Sequence, residues 1–349
     1  MSRLDDTLEL VAVASVSGAE AALATLVESR LRAVPSLDVE RVGGNVVAST
    51  RGHHATRLLV AGHLDTVPGD PATARIEGDR LIGLGACDMK GSLAVMLELA
   101  EDPTPRAVEV TWVFYAREEI ARAQSGLLEL AQLRPDLLQA DAAVLAEPTD
   151  GAVEAGCQGS LRALVTLRGA RAHTARPYTG RNAIHRLGAL LSRLASYEPR
   201  VVDLDGVVYT EQLQCVAVEG GVAANVVPDL ARCTINHRVA PDRTIDEAGE
   251  WLRGYVADLL DDDDVFEVLD GAPPAPPAMG NIRLAALAAA TGRPVRGKVG
   301  WTDVATFFEL DIPATNFGAG RPRLAHRSDE YVTLVQLDDF AAALAAWLR

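Results

Sequence analysis

Two imidazoles and several carboxylates stand where apolar runs of this chain give out. His63 and Asp65 follow the apolar residues 58–61, and Asp88 lies between Gly83 and Gly85 on one side and the apolar residues 93–100 on the other. Glu118 and Glu119 follow the β-type run VEVTWVFY, Glu147 ends another apolar run just before Pro148, and His326 falls in a polar loop. The donors His63, Asp88, Glu119, Glu147 and His326 include no thiolate, which suits zinc or another borderline divalent ion such as cobalt or manganese. Five ligands exceed one tetrahedral site that keeps a water; they fit two ions about 3.5–4 Å apart that share a bridging carboxylate. Asp65 is placed to accept from the other ring nitrogen of His63 and fix its tautomer. Glu118 is then left as a general base, because adjacent acids on an extended segment point to opposite sides. Each residue also has an ordinary use. An Asp before a helix commonly caps it, a Glu pair commonly faces water, a Glu-Pro commonly makes a turn, and a lone His is commonly exposed. Spacing alone leaves both readings open.

The elements that must position these groups can be read from periodicity. Residues 4–13 and 19–34 have helical spacing around the break Ser15-Val16-Ser17-Gly18, and short strands are expected at 46–48 and 57–61. A helix follows Asp88, a buried strand spans 108–115, a short helix 125–133 and another buried strand 142–146. Three strands thus end in His63, in Glu118-Glu119 and in Glu147, and open α/β sheets place ligands at the carboxyl ends of their strands.

From about Gly159 the pattern changes. Strands at 161–167, 214–218, 231–239 and 265–269 and helices at 182–197 and 244–260 follow the order βαββαβ of a ferredoxin-like α+β domain. The second helix opens on Thr244-Ile245-Asp246-Glu247, a capping box. The stretch APPAPPA after Gly271 cannot continue a helix or central strand and reads as a crossing. Beyond it come a helix at 282–290, another through 310 that Asp303 is placed to cap, a strand at 312–317 and a helix at 334–348. The expected organisation is a first part of a large α/β domain at 1–159, an inserted domain at 160–270 and a second part at 271–349.

Composition narrows the partners. A formal charge of −15 over 349 residues excludes a broad basic face, and with it nucleic acid and anionic membrane surfaces as partners. The acid pair Asp5-Asp6 interrupts any signal-like core, and no run reaches membrane-spanning length, so a cytoplasmic protein is expected. The four cysteines, Cys87, Cys157, Cys215 and Cys233, form no CxxC pair and indicate neither a disulfide framework nor a thiolate zinc site. Of the remaining histidines, His53 and His54 lie in a polar loop, His185 on a helix face, and His237 alternates with Arg238 so that the two face opposite sides. His173 sits in the loop GARAHTARP, a polar tip of the inserted domain.

HLDTVP at residues 63–68, GACDMKGS at 85–92, REE at 117–119, AEPT at 146–149 and LAHRSDE at 324–330 resemble, in order, the motifs of the di-zinc amidohydrolase and peptidase family. That family includes succinyl-diaminopimelate desuccinylases, acetylornithine deacetylases, aminoacylases and carboxypeptidases. The resemblance implies a zinc-exopeptidase-like catalytic domain, a mixed sheet with helices on both faces, carrying an inserted ferredoxin-like lid through which members dimerise. It implies two zinc ions per chain: one on His63, Asp88 and Glu147, the other on Glu119 and His326, with Asp88 bridging. Glu118 matches the general base, Asp65 the histidine-orienting acid, and His173 a lid histidine that polarises the scissile carbonyl and that in dimeric members comes from the partner subunit. Within the family, GCQGSLRALVTLRGARAHTARPYTGRNAIH, GGVAANVVPD, NHRVAPD and GWTDVATF are most similar to actinobacterial succinyl-diaminopimelate desuccinylases. Asn225 and Arg238 fall where members place substrate contacts, and a guanidinium suits a succinyl carboxylate. The implied substrate is a small N-acyl amino acid. The chain departs from the family pattern at Ala116-Arg117, ahead of the glutamates, and at Arg321-Pro322-Arg323, ahead of His326.

Overall fold

Parallel strands that are apolar on both faces need cover on both sides, and the first of two compact units is built to supply it. The computed structural model describes residues 2–52 and 54–349, so His53 lies outside the described residues. The first unit comprises Met1–Gly156, Pro277–Arg296 and Asp303–Arg349, and the second Cys157–Pro276 and Gly297–Thr302.

The large sheet has eight strands in the spatial order Leu37–Val42, Asn45–Thr50, Glu109–Tyr115, Arg57–His63, Ala142–Leu145, Ala314–Asn316, Glu154–Ala155 and Arg296–Gly297. Arg57–His63 runs parallel to both Glu109–Tyr115 and Ala142–Leu145, and Ala314–Asn316 runs parallel to Ala142–Leu145. Four carboxyl ends therefore open on one edge. The sheet's first two strands are antiparallel additions. Leu58, Val60, Val110, Trp112 and Phe114 join one core with the helices Ala21–Arg32, Gly91–Glu101, Ile282–Thr291 and Leu334–Trp347. The alternate residues Leu59, Ala61, Val113 and Tyr115 point the other way and are also fully buried. Gly62 keeps the Gly91–Glu101 helix close: a Cβ there would meet Leu93 Cδ2 at 2.6 Å and Met89 Cε at 2.9 Å.

The helix pair expected near the start forms at Arg3–Val11 and Ala21–Arg32. One of the two open readings falls away, and one expectation needs correction. Asp88 does not cap the following helix; it lies in a wide turn, Ala86–Lys90, with a cis Asp88–Met89 bond, and Lys90 holds the cap position. Asp303 stands at the start of Val304–Glu309 without a capping bond to a backbone amide, because its buried carboxylate is engaged by Ser125 Oγ at 3.1 Å and Thr306 Oγ1 at 2.7 Å. Periodicity also passed over Leu37–Val42 and the small sheet formed by Arg75–Glu77, Arg80–Ile82 and Tyr331–Thr333.

The second unit carries an antiparallel sheet in the order Gln212–Gly220, Leu230–Val239, Gly159–Arg168, Val265–Ala272. With the helices Ala183–Ala195 and Ile245–Val256 between strands, this is the expected βαββαβ chain order. Leu161, Ala163, Val165 and Leu167 alternate into a core with Leu187, Leu190, Leu194, Leu252 and Val256. The opposite face is solvated and carries an Arg162–Asp270 ion pair. The capping box at Thr244 is present, with Glu247 N–H donating to Thr244 Oγ1 at 3.2 Å and Thr244 N–H to Glu247 Oε2 at 2.7 Å. Among the described residues no helix is long and apolar enough to cross a membrane.

Candidate metal centre

His63 is the last residue of its strand, in register with Tyr115, so the glutamates that follow Tyr115 emerge beside it. The imidazole is buried, and its Nδ1 lies 3.0 Å from the backbone oxygen of Asp65 and 3.5 Å from Asp65 Oδ1. A proton on Nδ1 satisfies the carbonyl and leaves a lone pair on Nε2. Nε2 lies 3.1 Å from Asp88 Oδ1 and 3.9 Å from Glu147 Oε1. On the far side of the same carboxylate, Asp88 Oδ2 is 3.7 Å from His326 Nε2, which lies 2.9 Å from Glu119 Oε2. Asp88 thus stands between two imidazoles, one oxygen toward each.

The donor set fits divalent cations. Donor atoms of His63, Asp88 and Glu119 all lie within 4.8 Å of one another. Donors around one tetrahedral zinc, each about 2.0–2.2 Å from the ion, are roughly 3.3 Å apart, near the separations observed. Acceptors crowded in this way repel unless a cation or a proton lies among them. Burial, then the charge of Glu147, pushes the Glu118 carboxyl well above its usual range, and burial with Asp88 nearby raises Glu119. Burial opposes a charged His63, but its bonds to Asp65 and Asp88 outweigh that and raise the imidazole well above its ordinary value. Carboxylate charge is disfavoured at this site, and a bound cation would favour it.

Asp65 engages more than His63. Its carboxylate accepts the backbone N–H groups of Glu118 and Glu119, each at 3.0 Å, and the hydroxyl of Ser17 at 2.7 Å. Burial disfavours the charge, yet these bonds and His63 hold Asp65 below the usual carboxylate range. One side chain therefore fixes the corner from which both glutamates project. Glu119 meets His326, whereas Glu118 makes no side-chain hydrogen bond or ion pair among the described residues. Glu330 performs a similar service for Asp88: its Oε1 accepts Cys87 N–H at 3.0 Å and Asp88 N–H at 3.2 Å. Neither Ser17 nor Glu330 stood out in the sequence as a site residue. Ser17 looked like a helix break; Glu330 offered one signal, its place at the end of the run that carries His326.

The first unit brings together His63, Asp65, Asp88, Glu118, Glu119, Glu147 and His326. His173, Asn225 and Arg238 belong to the second unit. There, Ala172–His173 pairs with Val226–Val227, Thr174 N–H donates to Asn225 O at 3.1 Å, and Ala175 N–H donates to His173 Nδ1 at 3.0 Å. His173 and Asn225 are thus exposed neighbours. Arg238 lies apart from them, on the sheet opposite Gln212 and Ser160. It is half-buried, its pKa is lowered by that burial, and its side chain has no partner among the described residues.

Residues 59–349 match the model of peptidase family M20/M25/M40. The chain belongs to that family. It is 47% identical over 329 residues to the putative succinyl-diaminopimelate desuccinylase DapE of Mycobacterium tuberculosis, covering 93% of this chain and 92% of that one. It is 42% identical over 351 residues to the succinyl-diaminopimelate desuccinylase of Corynebacterium glutamicum, covering 98% and 95%. Among solved structures, aminopeptidase PepT of Bacillus cereus superposes with a TM-score of 0.79 at 19% identity, over 99% of this chain and 97% of that one, a likeness of fold. For an M20 metallohydrolase, a cluster of imidazoles and carboxylates at the carboxyl edge of the large sheet is a coherent candidate for the metal site.

Proposed function

We propose that this M20 hydrolase is a succinyl-diaminopimelate desuccinylase, converting N-succinyl-LL-2,6-diaminopimelate and water to succinate and LL-2,6-diaminopimelate in the cytoplasm. The observation that carries this reading is the likeness, across nearly the whole chain, to the desuccinylases of M. tuberculosis and C. glutamicum. The geometry supports two divalent ions, zinc with cobalt or manganese as substitutes: His63, Asp88 and Glu147 would hold one, Glu119 and His326 the other, with Asp88 shared. When bound, they supply Lewis-acid polarisation of the amide carbonyl and lower the pKa of water.

The chain's own residues handle the proton and the substrate. Glu118, a carboxylate without a side-chain partner among the described residues, takes a proton from the attacking water and delivers it to the departing amine nitrogen. Asp65 keeps His63 in the tautomer that leaves Nε2 free and holds Glu118 in place through its amide. His173, whose Nδ1 accepts the Ala175 amide, is assigned to donate its Nε2–H to the carbonyl oxygen, and Asn225 and Arg238 are assigned to the substrate. An unpartnered guanidinium suits a succinyl carboxylate better than an acetyl group. Exposed Val216 and Val218 on the edge strand Gln212–Gly220 support a homodimer formed through this unit.

The test is a substrate panel on zinc-loaded enzyme, following release of the acyl acid. Succinyl-diaminopimelate should exceed acetylornithine in kcat/KM by about 10²-fold or more, since a site built to pair a charged group rejects analogues that lack it. Equal rates would overturn the assignment. A chelator should abolish turnover and added zinc restore it.

A further inference from the structure

Two cysteines that lie 18 residues apart in sequence meet in the second unit. Cys215 Sγ and Cys233 Sγ are 3.3 Å apart, on the neighbouring strands Gln212–Gly220 and Leu230–Val239. The sheet's register explains the approach. Cys215 pairs with Ile235, but Ala217 already pairs with Thr234 and Val218 with Cys233, so the edge strand carries a bulge at Val216. An extra residue bends and twists its strand. Cys215 and Ile235 share a face, as do Ile235 and Cys233, so the two sulfurs are diagonal neighbours on the helix-covered side of the sheet. Closing from 3.3 Å to the about 2.05 Å of a disulfide is within side-chain adjustment, given that edge strands are the least constrained.

The pair is asymmetric in a useful way. Cys233 is fully buried, and burial together with the Cys215 sulfur pushes its thiol up to about 12. Cys215 is half-buried and lines a cavity of 500 Å³ with Leu191, Leu194, Tyr197, Gln212 and Gln214. A small reagent thus has a route to one sulfur and not to the other. The remaining cysteines, Cys87 and Cys157, are buried, and their Sγ atoms approach backbone oxygens of Arg321 and Thr302.

We propose that Cys215 and Cys233 are a redox-active dithiol, a modification site that closes to an intramolecular disulfide when a hydroperoxide reaches Cys215 through the adjoining cavity. The Cys215 sulfur, as thiolate, attacks a peroxide oxygen; the O–O bond breaks, and two electrons pass from sulfur to give a sulfenic acid and hydroxide, which takes up the released proton. The Cys233 sulfur then gives up its proton and attacks Cys215 Sγ; the S–S bond forms, the S–O bond breaks and water leaves. With hydrogen peroxide the sum is two thiols oxidised to one disulfide and one peroxide reduced to two waters. A reversible bond of this kind suits a reducing compartment, where disulfides are transient.

The experiment uses the full chain, treated with a few equivalents of hydrogen peroxide, then denatured, alkylated and mapped by mass spectrometry. Expected is a Cys215–Cys233 cross-link lighter by two hydrogen atoms than the reduced pair, with Cys87 and Cys157 alkylated, and full reversal by dithiothreitol. In Cys233→Ser, oxidation should stop at a Cys215 sulfenic acid that dimedone traps. Should Cys233→Ser not fold, Cys215→Ser supplies the control, because Cys233 should then resist peroxide. Sulfinic or sulfonic acid on Cys215 of the unaltered chain without a cross-link overturns the proposal. So does a disulfide to another chain, or survival of all four thiols under peroxide that oxidises a free cysteine standard.

Discussion

Each unit of this protein buries carboxylate beside imidazole, and the two clusters are resolved in opposite ways. In the second unit, Glu211 is fully buried and accepts Arg243 Nη2 at 2.7 and 2.9 Å, Arg200 Nη1 at 3.3 Å and the Ala240 amide at 2.9 Å, with His237 Nε2 at 3.6 Å. Burial alone would raise that acid, but His237, the Ala240 amide and Arg243 prevail and bring it down to about 2. In the first unit, burial and Glu147 drive Glu118 upward instead. One cluster answers its own charge with protein cations; the other presents charge that invites a metal. A buried ionic group that is internally satisfied is a structural device, whereas one held at an unfavourable charge state by its neighbours is the place to look for chemistry.

The comparison can be broken by exchanging the consequences. Glu118→Gln should lower turnover by about 10⁴-fold, the upper range for loss of a general base, while the melting temperature holds or rises because a repelled charge has gone. Retained activity, or a loss matched by unfolding, would put Glu118 with the structural cluster. Glu211→Ala should do the reverse: urea titration should show a loss of about 3–5 kcal/mol, the cost of orphaning buried cations. Metal content should stay at the unaltered level. The same acid sets a pH dependence. Because its folded pKa is depressed, its stabilisation is present above the ordinary carboxylate value of 4.5 and disappears as pH falls toward about 2. Melting temperatures of the unaltered chain and Glu211→Gln should therefore converge over that window; parallel curves would refute it.

Smaller effects test the supports around the metal ligands. Glu330→Gln keeps an acceptor for the Asp88 amide but replaces a carboxyl that burial pushes up to about 8, and metal affinity should fall by about 10-fold, the low end for a residue that orients a ligand. Competition with a chromogenic chelator reads this directly. Ser17→Ala removes one bond to Asp65, worth about 1 kcal/mol, so kcat should fall only a few-fold with metal content unchanged.

What the sequence disclosed follows from how local the cause of each feature is. His63, Glu119 and Glu147 were legible because each ends an apolar strand, and strand ends are written in neighbouring residues. The βαββαβ order was legible for the same reason, through alternation and a capping box. Asp88 lies among the candidate ligands, but its turn at Ala86–Lys90 was not legible, since Glu330 holds it from 242 residues away. The hairpin Val201–Leu204 to Val207–Thr210 has one local signal, Asp205-Gly206, both at positive φ, the dipeptide its tight turn requires. The Cys215–Cys233 approach depends on a bulge, and no composition or spacing announces a bulge.

The order of the ligands along the chain has a consequence for synthesis. The His63, Asp88, Glu119 and Glu147 segments leave the ribosome first, then the whole second unit, and only afterwards His326, which meets a Glu119 made 207 residues earlier. The strand Ala314–Asn316, which pairs with Ala142–Leu145, arrives equally late. A nascent chain can therefore display most of the proposed ligand set while lacking the imidazole assigned to complete it. Under the proposed ligand assignment, full metal capture, and with it hydrolysis, waits until translation has passed His326.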